Sequence, residues 1–198
     1  MVSIKSKPSP KLSCKCKFSL LTVCDLWTKL ISMAGSDTTA TAIRATMLYL
    51  LMNPRVVAKL RAEIVASNVS SPITDAEARK MPYLQAIIKE GLRIFPPVVG
   101  LMSKEVPPGG DTIDGQFIPE GTKIGYGMYG IFHDKALWGK DPSVFRPERW
   151  LEKDPETLKE MDSTLELIFG YGKYKCLGSN VALMELNKVF VEVCVGLK

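Results

Sequence analysis

The 198-residue chain has a single histidine, and that scarcity removes several chemistries at once. His133 builds neither a catalytic triad nor a multi-histidine metal site. It reads as a packing or hydrogen-bonding residue near Asp134 and Trp138. Cysteine is sparse too: five residues, unevenly placed, give no disulfide framework. Cys14 and Cys16 form a Cys-x-Cys pair, but no second ligand pair follows at zinc-site spacing. Cys24 and Cys194 lie in apolar runs and read as core residues. Residues 1–17 hold no apolar stretch able to cross a bilayer. Phe18 to Cys24 is too short for a secretory signal and runs directly into Asp25. No internal repeat or linker divides the chain. Excess charge is missing from most of its length: the net +5 resides in residues 1–29, where six lysines face Asp25. The basic stretch has Phe18 and few other aromatics, which argues against a single-stranded nucleic-acid surface.

What is present is an ordinary globular composition, 46% hydrophobic and 24% charged, with two kinds of periodicity. The spacing predicts one long helix from Asp25 to Met52, stopped by Asn53-Pro54. Pro54 opens a second helix with Asn53 as its cap and Val56, Val57, Leu60 and Ile64 as its buried stripe. Thr74-Asp75-Ala76-Glu77 is a capping box. Met81-Pro82 opens a helix with Leu84, Ile87, Ile88 and Leu92 on one face, ended by Pro96-Pro97. Val98–Val106, Thr112–Ile118 and Thr122–Met128 are short, broken by glycine turns, and predict a small antiparallel sheet. Asp134–Leu137 reads as a helical turn, followed by an irregular stretch through Trp150 to about Leu167. Ser179–Val195 is a closing helix with Leu183, Leu186, Phe190 and Val193 among its apolar positions.

The most informative segment runs from Phe169 through Gly170, Tyr171, Gly172, Lys173, Tyr174, Lys175 and Cys176 to Gly178. It sets one cysteine in a glycine-flanked loop at the start of the closing helix, where free N–H groups and the helix dipole favour a thiolate. Gly172 and Gly178 carry no Cβ to hold the backbone away from a flat ligand. A lone thiolate offered to a planar cofactor is what a sulfur-ligated haem iron requires. The alternative is a buried structural cysteine beside a glycine-rich turn.

Three further motifs precede it in order: Ala34-Gly35-Ser36-Asp37-Thr38-Thr39, Glu90-Gly91-Leu92-Arg93, and Phe145-Arg146-Pro147-Glu148-Arg149-Trp150. Together with the cysteine loop they resemble the cytochrome P450 family of haem-thiolate monooxygenases from about Asp25 to the last residue. The resemblance implies a mainly α fold with a small antiparallel β-sheet, the C-terminal half of the cytochrome P450 fold. It divides the chain into a basic unmatched tail, 1–24, and a partial domain, 25–198. The half that supplies the other face of the haem pocket is expected to lie outside this sequence.

The same resemblance implies the site. Cys176 is the axial haem iron ligand, Gly172 and Gly178 give the haem room, and Phe169 shields the sulfur or simply packs in the core. Asp37 and Thr38 are an acid–alcohol pair that passes protons to reacting dioxygen; as residues alone they also fit a polar helix face bonded to its preceding turn. Glu90, Arg93 and Arg149 form a buried charge cluster that holds the cysteine loop, against the plainer reading of surface ions. Val98, Val99, Gly100 and Leu101 line the substrate pocket or fill a buried strand. The cofactor is haem b. Dioxygen is the oxidant, and electrons come from NADPH through a separate reductase, the chain being read as having no dinucleotide fingerprint. The substrate is small and apolar. The intact family sits on the cytosolic face of the endoplasmic reticulum membrane, held by an N-terminal helix not found in this sequence.

One departure stands out. The family most often carries Arg or His two residues before the cysteine, to bind a haem propionate, where this chain has Tyr174; Lys173 or Lys175 would supply the charge instead. Phe-Gly-Tyr-Gly-Lys-Tyr before Cys176 resembles a filamentous-fungal, pisatin demethylase-like branch, which often serves secondary metabolism. The competing expectations are a catalytically inactive remnant or a non-enzymatic interaction fragment with a large exposed apolar surface.

Overall fold

The computed structural model describes residues 20–196, with side chains from Cys24 onward; the basic tail, Cys14, Cys16 and Phe18 lie outside the described residues. The chain falls into two compact units, Met1–Ala34 and Gly35–Lys198. Helix α1, Leu20–Leu51, belongs to both. Within the first unit, Lys29 pairs with Asp25 at 2.7 Å, and Cys24 is exposed rather than buried. An apolar run around Cys24 therefore did not mean a core position: Leu26, Trp27, Leu30 and Ile31 beside it are exposed as well.

In the second unit Thr39, Ala42, Thr46 and Leu50 of α1 are buried at helical spacing. The helix stops before Asn53-Pro54 as the sequence predicts, and α2, Pro54–Ser67, follows with Val56, Leu60 and Ile64 buried. Asn53 plays a different part from the one expected. Its side chain makes no cap bond to α2. Its Nδ2 instead donates to the Tyr49 carbonyl at 2.7 Å and closes the end of α1.

The short helix α3, Asp75–Ala78, begins with the predicted capping box, Thr74 and Glu77 bonding reciprocally. Hydrogen bonds from the Thr74 and then the Ser70 side chain hold the Glu77 carboxyl down at about 2. A depressed carboxyl stabilises the fold fully above its ordinary value and ceases to do so as pH falls through its folded value. Replacing Glu77 by Gln should therefore flatten the loss of stability between about pH 4.5 and about pH 2. Urea midpoints measured across that window check it.

Helix α4, Pro82–Ile94, is the centre of the fold. The sequence gives it one apolar face, but the structure buries Tyr83, Leu84, Ala86, Ile87, Ile88 and everything from Glu90 to Ile94. From α2, Glu63 caps its start, accepting from the backbone N–H of Tyr83 at 2.7 Å and of Leu84 at 2.9 Å. Gly91 faces α1 so closely that a Cβ there would overlap the Thr46 side chain. Gly91→Ala should cost about 1–3 kcal/mol through overpacking, and Thr46→Ala in the same chain should return part of it. Chemical denaturation of the single and double variants reads both effects.

The predicted sheet is two separate two-stranded ladders. Strand β1, Lys104–Glu105, pairs antiparallel with β4, Lys123–Ile124. Between them β2, Asp111–Ile113, and β3, Gln116–Ile118, form a hairpin. Asp114 and Gly115, both at positive φ, close that hairpin in two residues, so it turns on itself without joining the first ladder. Helices α5, Met128–Phe132, and α6, Lys135–Trp138, follow, the second capped by Asp134. His133 stacks on Tyr129 with ring centroids 4.0 Å apart, and its Nδ1 lies 2.9 Å from the Tyr129 carbonyl oxygen. Its ring partner is thus the preceding turn, not Trp138.

The stretch expected to be irregular contains a full helix, α7, Pro155–Leu165. Asp154 accepts from the Thr157 N–H at 2.9 Å and Pro155 occupies the first turn. Asp-Pro is a start signal, and Met161 and Leu165 give the buried i, i+4 pair that goes with it. Helix α8, Ser179–Gly196, closes the described chain with Leu186, Phe190, Val191 and Cys194 buried. Burial pushes the Cys194 thiol up.

Candidate functional site

The cysteine loop is held open by its own backbone. Gly170 at φ 72° and Gly172 at φ 63° take left-handed conformations that side-chain-bearing residues avoid. They fold the loop so that the Cys176 N–H reaches back to the Phe169 carbonyl at 2.6 Å. Phe169, expected as a shield over the sulfur, is half-buried. Its hydrogen bond to the cysteine is this backbone one. Every residue from Tyr171 to Gly178 is exposed, Cys176 among them and Leu177 at 91%. The reading of Cys176 as a buried structural cysteine is overturned by that exposure.

Lys175 pairs with Glu166 at 3.3 Å. Two ammonium groups lie over the Tyr174 ring, Lys104 Nζ at 4.9 Å and Lys173 Nζ at 5.0 Å from its centroid. The positive charge beside Tyr174 therefore comes from Lys173 and, unforeseen in the sequence, from Lys104.

Glu90, Arg93 and Arg149 do meet, and all three are buried. One Glu90 oxygen accepts from Arg93 at 2.8 Å, from Arg149 at 2.9 Å and from the Arg146 backbone N–H at 2.9 Å. The other accepts from Arg93 Nε and from the Trp150 indole N–H, both at 2.9 Å. Arg93 then donates to the carbonyls of Phe132 and Pro142, each at 2.7 Å. Arg149 donates to those of Trp138 at 2.7 Å, Asp141 at 2.9 Å and Val144 at 3.0 Å. The two guanidiniums spread their donors as only arginine can, binding a carboxylate and a curved run of carbonyls together. Among the described residues these bonds end between Phe132 and Trp150, and none reaches the cysteine loop. The sequence missed Trp150 and Asp141 as members. The signal for Trp150 was its place directly after Arg149, which puts an indole donor on the same turn.

Asp37 is exposed and Thr38 half-buried on α1, while Thr39 is buried. A groove of about 620 Å³ runs between α1 and α8, lined from α1 by Gly35, Ser36, Thr39, Ala40 and Ile43. Asp37 and Thr38 are not among its lining residues. Val98 and Val99 are 43% and 58% exposed, and Leu101, which bridges Gly127, is exposed too. Their exposure overturns the reading of a buried strand.

Contrary to the expectation of no dinucleotide fingerprint, the sequence contains one Gly-x-Gly-x-x-Gly spacing, Gly125 to Gly130. It follows β4 and opens α5, but β4 is an antiparallel strand of two residues and α5 is a helix of five. A dinucleotide site needs a parallel strand–helix–strand unit, so the spacing carries no such meaning.

A mainly helical chain with two small antiparallel ladders, a buried Glu–Arg–Arg cluster and an exposed cysteine in a glycine loop before α8 has the features expected of a haem-thiolate class of protein. The Cytochrome P450 family profile matches residues 24–194, and the chain belongs to that family. It is 52% identical over 166 residues to a cytochrome P450 monooxygenase ABA1 of Pyricularia oryzae, covering 81% of this chain and 32% of that protein. It is 44% identical to a monooxygenase aba1 of Botryotinia fuckeliana, covering 86% and 34%, and 41% identical to a pisatin demethylase of Fusarium vanettenii, covering 81% and 30%. The chain spans about a third of the length of these relatives.

Family membership implies haem, and the residues fit it. The Cys176 thiol is exposed. A Cβ at Gly172 would meet nothing within 4 Å, and one at Gly178 would meet only the Cys176 sulfur, at 3.9 Å. Exposed Leu177, Tyr171 and Tyr174 give the loop an apolar surface. A soft sulfur donor beside an apolar face without side-chain obstruction suits a flat metal-bearing ligand.

Proposed function

We propose that the chain is part of a haem-thiolate monooxygenase that inserts one oxygen atom from dioxygen into a small apolar organic substrate, in fungal secondary metabolism. The observation that carries this is the exposed Cys176 thiol in its glycine loop, within a chain matched by the family from residue 24 to 194. Bound haem would supply dioxygen reduction and oxygen insertion. Cys176 would hold it by a thiolate, with Gly172 and Gly178 leaving the ligand's approach clear. Asp37, exposed, is suited to take protons from solvent, and Thr38, beside it and half-buried, to pass them inward. Val98, Val99 and Leu101 would offer apolar contacts to the substrate. The Glu90 cluster keeps Phe132–Trp150 in one shape and does no chemistry. NADPH would supply electrons through a separate reductase, at the cytosolic face of the endoplasmic reticulum membrane. Among the described residues no helix is long and apolar enough to cross a membrane.

A second reading, an inactive remnant or an interaction fragment, draws on the exposure of Cys176, Tyr171 and Leu177 together. The carbon monoxide spectrum of the reduced, haem-reconstituted chain separates the two. A Soret band strongly shifted to the red supports the first; no haem uptake, or a band typical of nitrogen ligation, supports the second.

A further inference from the structure

The family resemblance implies that Glu90, Arg93 and Arg149 hold the cysteine loop, yet the bonds of that cluster stop at Trp150. We infer that Lys104 is the positioning residue that ties the loop before Cys176 to the β1–β4 ladder. The inference rests on the reading of Cys176 as the haem ligand and adds a residue to it.

Lys104 Nζ donates to the Tyr171 carbonyl at 3.2 Å, across 67 residues of chain, and the same ammonium sits 4.9 Å from the centroid of the Tyr174 ring. One cation thus grips the loop twice, five and two residues before Cys176. Among the described residues it is the only side chain from outside Glu166–Ala182 bonded to Phe169–Gly178. Lys173 touches the same ring from within the loop, and Lys175 is taken by the nearby Glu166, so neither joins the loop to another element.

The base from which Lys104 reaches is itself fixed. It pairs with Ile124 across the ladder, and the Met102 N–H donates to the Tyr126 carbonyl at 3.1 Å. Gly125 passes so close to Ser103 that a Cβ would lie 2.6 Å from its Cα. Tyr126, two residues beyond β4, donates its phenol to the Leu167 carbonyl at 3.3 Å. One side chain of the ladder and one just past its end thus hold the cysteine segment, at Tyr171 and at Leu167. A loop whose left-handed glycines leave it conformationally free needs such an outside restraint to keep its sulfur in one place.

Peptide-resolved hydrogen exchange on the 198-residue chain tests this without haem. Lys104→Met, which keeps the stem and removes the cation, should speed exchange across 169–178 by about three- to tenfold, the range expected for an exposed cation–ring contact plus one charged hydrogen bond. Helices α4 and α8 should exchange as before. Lys104→Arg should restore protection, since a guanidinium can donate and stack. With haem and carbon monoxide, Lys104→Met should lose part of the red-shifted thiolate band and Lys104→Arg should keep it.

Unchanged loop exchange in Lys104→Met overturns the inference. So does an equal rise throughout the chain, which would mean general destabilisation, or the same local rise in Lys173→Met, which would mean ring packing alone. A looser loop with an unaltered thiolate band overturns the link to Cys176 while leaving the proposed function intact. No thiolate band in the unsubstituted chain overturns both.

Discussion

Cys176→Ser is expected to abolish the red-shifted carbon monoxide band of the reduced, haem-loaded chain outright, with no intermediate spectrum. A serine hydroxyl is a hard, weakly acidic donor and does not replace an anionic sulfur on iron. The substitution removes no packing, because Cys176 is exposed, and the loop bond it makes is through its backbone N–H to Phe169 at 2.6 Å. Stability should therefore move by no more than about 0.5 kcal/mol. That separation makes the experiment decisive: spectrum lost and urea midpoint kept identifies the sulfur as the ligand. A variant that keeps the band transfers the role to another residue. Cys194 is a poor substitute, being buried with its thiol pushed up; Cys24, exposed in the first unit, would be the next to replace.

Replacing Glu90 by Gln should do the opposite, unfolding the chain without touching the thiol. The carboxylate receives five donors, from Arg93 twice, Arg149, the Arg146 backbone and the Trp150 indole. An amide presents its own N–H₂ to one set of these donors and leaves two buried guanidiniums short of negative charge. Asp141, 3.3 Å from Arg149, compensates one of them in part and Arg93 not at all. Breaking a buried ionic cluster by one partner costs about 3–5 kcal/mol, a large part of the 5–15 kcal/mol by which a domain is stable. Denaturant unfolding should register that loss, and soluble yield should fall with it. Lys29→Ala, which breaks an exposed pair with Asp25, should by contrast stay within about 0.5 kcal/mol.

These two variants draw on different layers of the protein. The thiol acts through its chemistry and its exposure. The cluster acts through burial: Trp138 packs on Trp150 at 5.6 Å and lies under the Arg93 guanidinium at 5.2 Å, which closes the charges off from water. The burial that makes the cluster costly to break also makes Phe132–Trp150 a fixed block with only short helices in it.

Local signals in the sequence were enough for much of the fold. Pro54 and Pro82 at helix starts, the Thr74–Glu77 box and the Gly-rich run before Cys176 each act within a few residues, so they can be read directly from the chain. The same locality applies to Asp154-Pro155, an equally good start signal, which opens α7. The family motifs identified the family and named Glu90, Arg93, Arg149 and Cys176, because residue type and spacing alone define such motifs. Burial of Glu90 and its arginines agreed with expectation, but what they grip did not.

What only the tertiary structure decided are the relations between distant residues. That Asn53 closes α1 instead of opening α2, that the ladders are two, and that Cys24 is exposed while Cys194 is buried depend on which surfaces meet. Hydropathy along the chain does not encode that. Lys104 is the clearest case. In the sequence it is one lysine among many; in the fold it touches Tyr171 and Tyr174, far along the chain, because ladder pairing carries its backbone to the cysteine loop. The sequence by itself determined the family and singled out Cys176 as the residue proposed to hold iron, since both readings follow from residue chemistry at short spacing. The restraint on that residue needed three-dimensional packing, since a long side chain has no preferred partner until the fold supplies one.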